Sequence, residues 1–279
     1  MQARLAVLID ADNAQADLIE PLLKEVTKYG VASVKRIYGD WTQTRLGGWK
    51  KKLVEHAIQP MQQFGYTTGK NSTDSALIID AMDLLYTEKF DGFCLVSSDS
   101  DFTRLATRLR EAGLTVYGFG EKKTPRAFIG ACDKFIYVEN LRPEAGARPS
   151  EKKPAQAAAA PAVEPTSKKA SGARKRAKPA VDVPPGTGAE IPAPAEPEKP
   201  AETDLDELLT EAVDACADES GWAHLGSLGQ YISKQQPDFD SRTYGKKRLS
   251  DLVKTLDSLV VEARPGADGK STAIYVHRK

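Results

Sequence analysis

Leu5-Ala6-Val7-Leu8-Ile9-Asp10-Ala11-Asp12-Asn13 decides how the first half of this chain is read. A short apolar run stops abruptly at two carboxylates, the pattern of a strand that ends at a polar rim. Phe93-Cys94-Leu95-Val96-Ser97 repeats it, running into Ser98-Asp99-Ser100-Asp101-Phe102. Outward from these lie three further strand-like runs, Val31–Tyr38, Thr115–Phe119 and Phe135–Val138. Helix-length segments with a 3.6-residue apolar period separate them: Ala16–Tyr29, Trp49–His56, Asp74–Thr87, Asp101–Glu111 and Pro125–Ala131. Such alternation predicts an α/β domain with a mostly parallel sheet and helices on both faces. Ligands bind such sheets beyond the carboxyl ends of the strands, which is where the acids stand.

A lone Asp at a strand end is usually a helix cap, accepting hydrogen bonds from the free N–H groups of the first turn. Two acid pairs on different strands are harder to explain in that way. Like charges repel, and their clustering is costly unless a cation sits among them. Asp74 adds a third carboxylate. On a helical wheel Leu77, Ile78, Ala81, Leu84 and Leu85 fall within about 80° of it, so it lies on the apolar stripe that faces the sheet. Asp83 lies opposite, and Asp80 on the boundary. Converging carboxylates are hard oxygen ligands suited to Mg2+ or Mn2+. Such ions activate water and stabilise charge on a phosphate. No His–Cys constellation competes: His56 is on a helix, and His224 and His277 belong to the second half of the chain.

Leu8-Ile9-Asp10-Ala11-Asp12-Asn13, then Lys70-Asn71-Ser72-Thr73-Asp74 with Asp80, then Ser97-Ser98-Asp99-Ser100-Asp101-Phe102 together resemble the NYN family, a PIN-like nuclease group that includes LabA-type bacterial proteins. The resemblance implies a PIN-like three-layer sandwich and Mg2+-dependent endonucleolytic cleavage of RNA. It implies Asp10, Asp74 and Asp99 as metal-binding acids, directly or through water, with Asn13 orienting the site and Asp101 as a further acid. Asp12 and Asp80 match less distinctively and are expected to be structural. Haloacid-type phosphatases also start from an Asp-x-Asp, but they carry Thr or Val where Ala14 stands, and Asp133 alone does not supply their late acidic pair. A receiver domain places acids at its first strand end without requiring the Ser-Asp-Ser-Asp-Phe run.

The bulk composition sets limits. The chain has 279 residues, 39 basic and 39 acidic side chains, and no formal net charge, so nucleic-acid contacts have to come from local patches. Mean hydropathy is −0.43. No run approaches the roughly 20 apolar residues of a membrane span. The N-terminus lacks the basic start and long apolar stretch of a signal peptide. A cytoplasmic protein with no membrane association is the expectation. The three cysteines, Cys94, Cys132 and Cys216, are too scattered for a disulfide framework or a zinc site and are expected to be small buried apolar residues.

From Ala145 to about Thr203 the composition turns to Ala, Pro, Glu and Lys without aromatics. Such a segment cannot bury enough surface to offset the entropy of ordering, so a disordered linker is expected over 142–203, between a domain at 1–141 and a smaller one at 204–279. Arg174-Lys175-Arg176-Ala177-Lys178 within it is either solvation or an electrostatic tether for phosphates.

In the last segment Leu205–Cys216, Leu225–Ser233 and Lys247–Leu256 read as helices. Leu259–Ala263 and Ala273–His277 read as strands joined by Gly266-Ala267-Asp268-Gly269, giving a winged-helix arrangement. Gly221-Trp222, Pro237-Asp238-Phe239 and Tyr244-Gly245-Lys246-Lys247-Arg248 resemble the OST-HTH (LOTUS) family. That resemblance implies an RNA-binding module with a preference for G-rich RNA, or one that engages a protein partner. Lys246, Lys247 and Arg248 are the natural phosphate contacts there. Trp222, Phe239, Leu249 and Leu252 are expected in the core. Single-stranded RNA is held by basic grooves and stacked aromatics, which on the first domain nominates Arg36, Trp41, Lys50 and Lys70. A catalytically weak adaptor that binds RNA is the alternative to a nuclease.

Overall fold

A computed structural model describes residues 2–64, 72–142, 202–265 and 272–279. Of the linker expected over 142–203, all but Arg142, Glu202 and Thr203 lies outside the described residues, as do Lys70, Asn71 and the turn at 266–269.

The first domain is a six-stranded sheet: β1 (Arg4–Asp10), β2 (Val31–Gly39), β3 (Gln59–Gln62), β4 (Gly92–Val96), β5 (Thr115–Gly120) and β6 (Lys134–Tyr137). The order is β3-β2-β1-β4-β5-β6, and every neighbouring pair is parallel. Successive side chains of a strand point to opposite faces, and both faces are covered. Leu5, Val7 and Ile9 of β1 pack with Cys94 and Val96 of β4 under α1 (Ile19–Val26) and α2 (Trp49–Glu55). Ala6 and Leu8 pack with Phe93 and Leu95 under α3 (Ser72–Tyr86), α4 (Thr103–Glu111) and α5 (Arg126–Ala131). This is the mostly parallel three-layer sandwich that the alternation predicts. Each fully buried Leu or Ile contributes about 1.5–3 kcal/mol, so the apolar runs that mark β1 and β4 are also the stabilising centre.

Two elements go beyond the sequence reading. β3 is a half-exposed edge strand made of Gln59, Pro60, Met61 and Gln62, polar enough to carry no strand signal. The segment Ala16–Tyr29 divides into a 3-10 turn over Ala16–Leu18 and the eight-residue α1.

The C-terminal module contains α6 (Glu202–Cys216), β7 (Trp222–His224), α7 (Leu225–Gln235), α8 (Leu249–Val253), β8 (Leu259–Pro265) and β9 (Thr272–Arg278). Its three strands lie antiparallel in the order β7-β9-β8. Leu209, Ala212, Leu228, Ile232, Val253 and Val276 fill the core between helices and sheet. The third helix is shorter than expected, so Lys246, Lys247 and Arg248 precede it rather than lie on it.

Residues Met1–Pro143 and Lys199–Lys279 form one compact unit. The loop after α7 meets the open edge of the large sheet. The N–H of Phe135 in β6 donates to the carbonyl of Pro237 at 2.8 Å. Tyr137 Oη and Arg126 Nη1 both donate to Asp238, at 2.6 and 2.7 Å. An edge strand is a row of unpaired backbone groups, and this loop takes one of them.

Candidate metal centre

The strand order places a topological switch point between β1 and β4, since the chain leaves β1 toward one edge and returns through β4 toward the other. Ile9 and Val96 are in register, so the residues that follow them, Asp10 and Ser97, emerge side by side. Ser97 links the two strand ends. Its hydroxyl donates to Asp10 Oδ2 at 2.9 Å and accepts from the N–H of Asp99 at 3.1 Å.

Asp10 is fully buried. Its Oδ1 accepts from the N–H of Asp12 at 2.9 Å, and its Oδ2 also accepts from Asn13 Nδ2 at 2.7 Å. Burial raises its pKa above the ordinary value, against the lowering effect of these hydrogen bonds. An ionised carboxylate has about four lone-pair sites, and three are taken by Asp12, Asn13 and Ser97.

Asp99 caps the 3-10 turn Ser100–Phe102, its Oδ1 accepting from the N–H of Asp101 at 2.9 Å. That is the capping role a lone Asp would have, but this carboxylate does not stand alone. Asp74 comes in from the first turn of α3, on the side of Leu77, Ala81, Leu84 and Leu85, all buried. Carboxylate oxygens of Asp74, Asp99 and Asp101 lie within 4.8 Å of one another. Burial first, then the charges of Asp10, Asp99, Asp101 and Asp12, push the Asp74 carboxyl up to about 6.

The donor set fits a hard divalent cation. Mg2+ holds oxygens at 2.0–2.1 Å, so two ligands on opposite sides of one ion are about 4.2 Å apart. A spread of 4.8 Å closes onto one ion with small side-chain movement, or with a water standing in for one oxygen. The strained ionisation of Asp74 is the second sign, because anions held together in a half-buried site are relieved by a cation. The converging trio thus includes Asp101 in the place the sequence reading gives to Asp10, which stands behind it with its oxygens bonded to protein.

The remaining nominated residues divide. Asn13 holds Asp10, as above. Asp12 pairs with Arg45 at 2.5 Å, fastening the turn that contains Thr44–Gly48 to the loop that follows β1. Arg36 forms an ion pair with Asp80 at 2.6 Å, and Asp80 also accepts a hydrogen bond from the buried Tyr38. Trp41 is half-buried, its indole N–H donating to the carbonyl of Met61 at 3.1 Å. Lys50 is exposed at the start of α2, and Lys247 and Arg248 are exposed ahead of α8. Ser97 lies within the run Ser97–Phe102, but nothing in its spacing marks it as the link between the two strand ends. Trp222, expected in the core, instead has its ring on the outer side of the small sheet, against His277 and Arg264. Strand β7 is too short to show an alternation, so the side on which Trp222 projects had no signal.

A parallel sheet with acids gathered at its switch point, followed by a small helix-and-strand module, defines the class: an α/β domain of nuclease type joined to a small winged-helix module. The NYN-domain model matches residues 4–139, and the OST-HTH/LOTUS-domain model matches residues 199–270. Among solved structures, a protein of unknown function from Vibrio parahaemolyticus is 18% identical, covering 50% of this chain and 95% of its own, with a TM-score of 0.43. An uncharacterized protein of Nitrosomonas europaea is 41% identical over 33% of this chain and 89% of its own, with a TM-score of 0.26. A Chromobacterium violaceum protein is 36% identical over 26% of this chain and 78% of its own, with a TM-score of 0.23. No curated protein matches the chain. No helix among the described residues is long and apolar enough to cross a membrane.

Proposed function

We propose that this protein is a Mg2+- or Mn2+-dependent endoribonuclease that cleaves single-stranded RNA, with the C-terminal module selecting the substrate. The observation that carries this reading is the approach of Asp74, Asp99 and Asp101 to within 4.8 Å at the switch point, with Asp10 buried behind them. Asp74, Asp99 and Asp101 would hold the ion, and Asp10 would act through its charge and its one remaining lone-pair site, directly or through water. Bound there, a divalent ion supplies Lewis acidity toward phosphate oxygens and water. Asn13 and Ser97 orient Asp10, and Ser97 also fixes the backbone at Asp99. Arg45 is held by Asp12, in the loop that follows β1. Trp41, Lys50 and Lys70 are proposed as contacts for the strand entering it, and Lys246, Lys247 and Arg248 as phosphate contacts on the module. The module's RNA is taken as single-stranded or G-rich, with a protein partner as its other use, and the setting as cytoplasmic.

The test is incubation of wild type and Asp99→Asn with labelled single-stranded RNA in Mg2+, Mn2+ or chelator. Cleavage by wild type that stops with chelator or with Asp99→Asn is expected. Cleavage that survives the substitution points to a contaminating nuclease and removes the assignment. Binding of RNA without cleavage by wild type identifies a catalytically weak adaptor.

A further inference from the structure

The outer side of the small sheet carries chemistry that the metal centre does not use. Strand alternation sends Ala223 and Val276 into the module core. It therefore sends Trp222, His224, Tyr275 and His277 the other way, with Trp222 opposite His277 and His224 opposite Tyr275. The rings touch in pairs: Trp222 and His277 have centroids 5.1 Å apart, and His224 and Tyr275 5.5 Å. Arg264 of β8 bridges the two pairs, its guanidinium carbon 4.4 Å from the Trp222 ring centre and 4.9 Å from that of Tyr275. Glu262 accepts from Arg264 Nε and Nη2 at 3.1 and 2.8 Å and fixes the guanidinium in its plane.

Four rings and one guanidinium thus form a continuous π surface across all three strands. None of the four rings belongs to the module core, whose fully buried residues are aliphatic and whose flanking aromatics are Tyr231, Phe239 and Tyr244. The solvent side of a small antiparallel sheet is usually polar, whereas Trp222, Tyr275 and His277 keep only partial exposure and His224 is exposed. Arg278 projects to the helix side, where it pairs with Asp214 at 2.8 Å, so the cations beside the rings are Arg264 itself and the exposed Lys279 at the end of β9. Flat rings with an arginine plane among them match a polymer with π faces and a negative backbone. Nucleobases stack on aromatic side chains and on arginine planes, and unpaired strands offer those faces freely.

We propose that this sheet surface is a second RNA-contact site, a stacking platform on which unpaired bases lie against Trp222, Tyr275 and His277, with Arg264 holding the rings in position. It is built on the three strands, not on the segment that carries Lys246, Lys247 and Arg248. The proposal rests on the reading that RNA is the ligand of this protein.

The experiment uses the full chain in chelator, so that RNA remains whole, titrated with a single-stranded RNA of about 10 nucleotides, the scale of such sites. Intrinsic tryptophan fluorescence is read. The chain has three tryptophans, so the Trp222→Phe chain measured in parallel isolates the share that belongs to Trp222. RNA is expected to quench the wild type more than Trp222→Phe, and inorganic tripolyphosphate to quench neither. Trp222→Ala and Arg264→Gln are expected to weaken binding about 5- to 100-fold, following the range for loss of one stacked base. Arg264→Gln keeps the test decisive if Trp222→Ala does not fold. Unchanged affinity in Arg264→Gln with no Trp222 share of the quenching overturns the platform and leaves the nuclease reading standing, with the RNA held elsewhere. Failure of wild type to bind RNA at all overturns both.

Discussion

Arg242 places its guanidinium on Glu25, a residue 217 positions earlier, through two hydrogen bonds of 3.1 Å. Asp240 orients the arginine from behind, accepting from its Nε and Nη2. Glu25 is buried, and Lys28 approaches it at 2.7 Å. Together with the Phe135–Pro237 bond, this pair fastens the C-terminal module to the nuclease domain. Breaking one partner of a buried pair costs about 3–5 kcal/mol when the other charge is stranded. Lys28 stays on Glu25 and the Asp238 contacts remain, so Arg242→Ala is expected to loosen the module rather than detach it. Hydrogen exchange at the amide of Phe135 should then rise at least tenfold. Unchanged protection of that amide would show that the contact does not hold the module in place.

The same pair makes docking sensitive to acid. Burial pushes the Glu25 carboxyl up, but hydrogen bonds and charge from Arg242 and Lys28 outweigh it and hold it below the ordinary value of 4.5. A carboxyl lowered in the folded state adds stability above its unfolded value and loses it as pH falls through the folded one. The Phe135 amide should therefore stay protected from neutral pH down to about 4.5 and lose protection below it. In Glu25→Gln that step should be absent. A transition of equal size in the variant would assign the effect to other groups.

Ser97 ties Asp10 to Asp99 with one hydroxyl. Groups that orient metal ligands typically change affinity or activity 10–100-fold when removed. Ser97→Ala should therefore lower RNA cleavage by about that factor and raise the Mn2+ concentration needed for half-maximal rate. Gly120 reaches the same point from β5: a Cβ there would stand 2.6 Å from the Ser97 carbonyl. Gly120→Ala should reproduce the defect without touching any carboxylate. A variant with full activity at low Mn2+ would show that the loop tolerates displacement.

Much of this was legible in the sequence because strong local signals agreed. Leu5–Ile9 and Phe93–Val96 are buried on both sides, so they read as unbroken apolar runs, and the acids after them mark the strand ends. The apolar stripe of α3 gave the side on which Asp74 stands. What was not legible depended on distant partners or on very short elements. Gln59–Gln62 becomes a strand only because β2 is beside it. Which oxygens of Asp10 remain open depends on Asn13 and Ser97 together, and no spacing rule reports that. Glu25 looks like any exposed helix acid until Arg242 covers it.

The charge packed around Asp74 should be visible as instability. With its carboxyl raised to about 6, the ionised group destabilises the metal-free fold, and stability falls as pH rises from about 4 toward 6. The group is only half-buried, so solvent screening reduces the effect to about 1 kcal/mol. Asp74→Asn should raise the metal-free Tm by about 2–4 °C while abolishing cleavage. Mg2+ or Mn2+ at about 100 times its Kd should stabilise the wild type by about 2.7 kcal/mol and leave the variant unmoved. An equal metal-induced shift in both chains would place the ion elsewhere.

Arg36 and Lys50 provide the contrast that separates packing from RNA contact. Arg36 is partly buried, its guanidinium held by Asp80 at 2.6 Å, and Tyr38 donates to the same carboxylate. Contact with a phosphate would require it to abandon that partner and leave Asp80 half-buried without a cation. Lys50 is exposed at the start of α2, and losing it breaks no contact of comparable burial. Arg36→Ala should therefore destabilise the fold by about 1–3 kcal/mol, the cost of stranding a buried polar group, with RNA affinity changed less than twofold in the fraction that remains folded. Lys50→Ala should leave the melting temperature in place, lower RNA affinity severalfold at low salt, and reduce the salt slope of binding by about 0.7 for one lost phosphate contact on a single strand. If Arg36→Ala instead flattens the salt slope at an unchanged Tm, the guanidinium leaves Asp80 for the RNA, and the Arg36–Asp80 pair is a resting state of the binding surface.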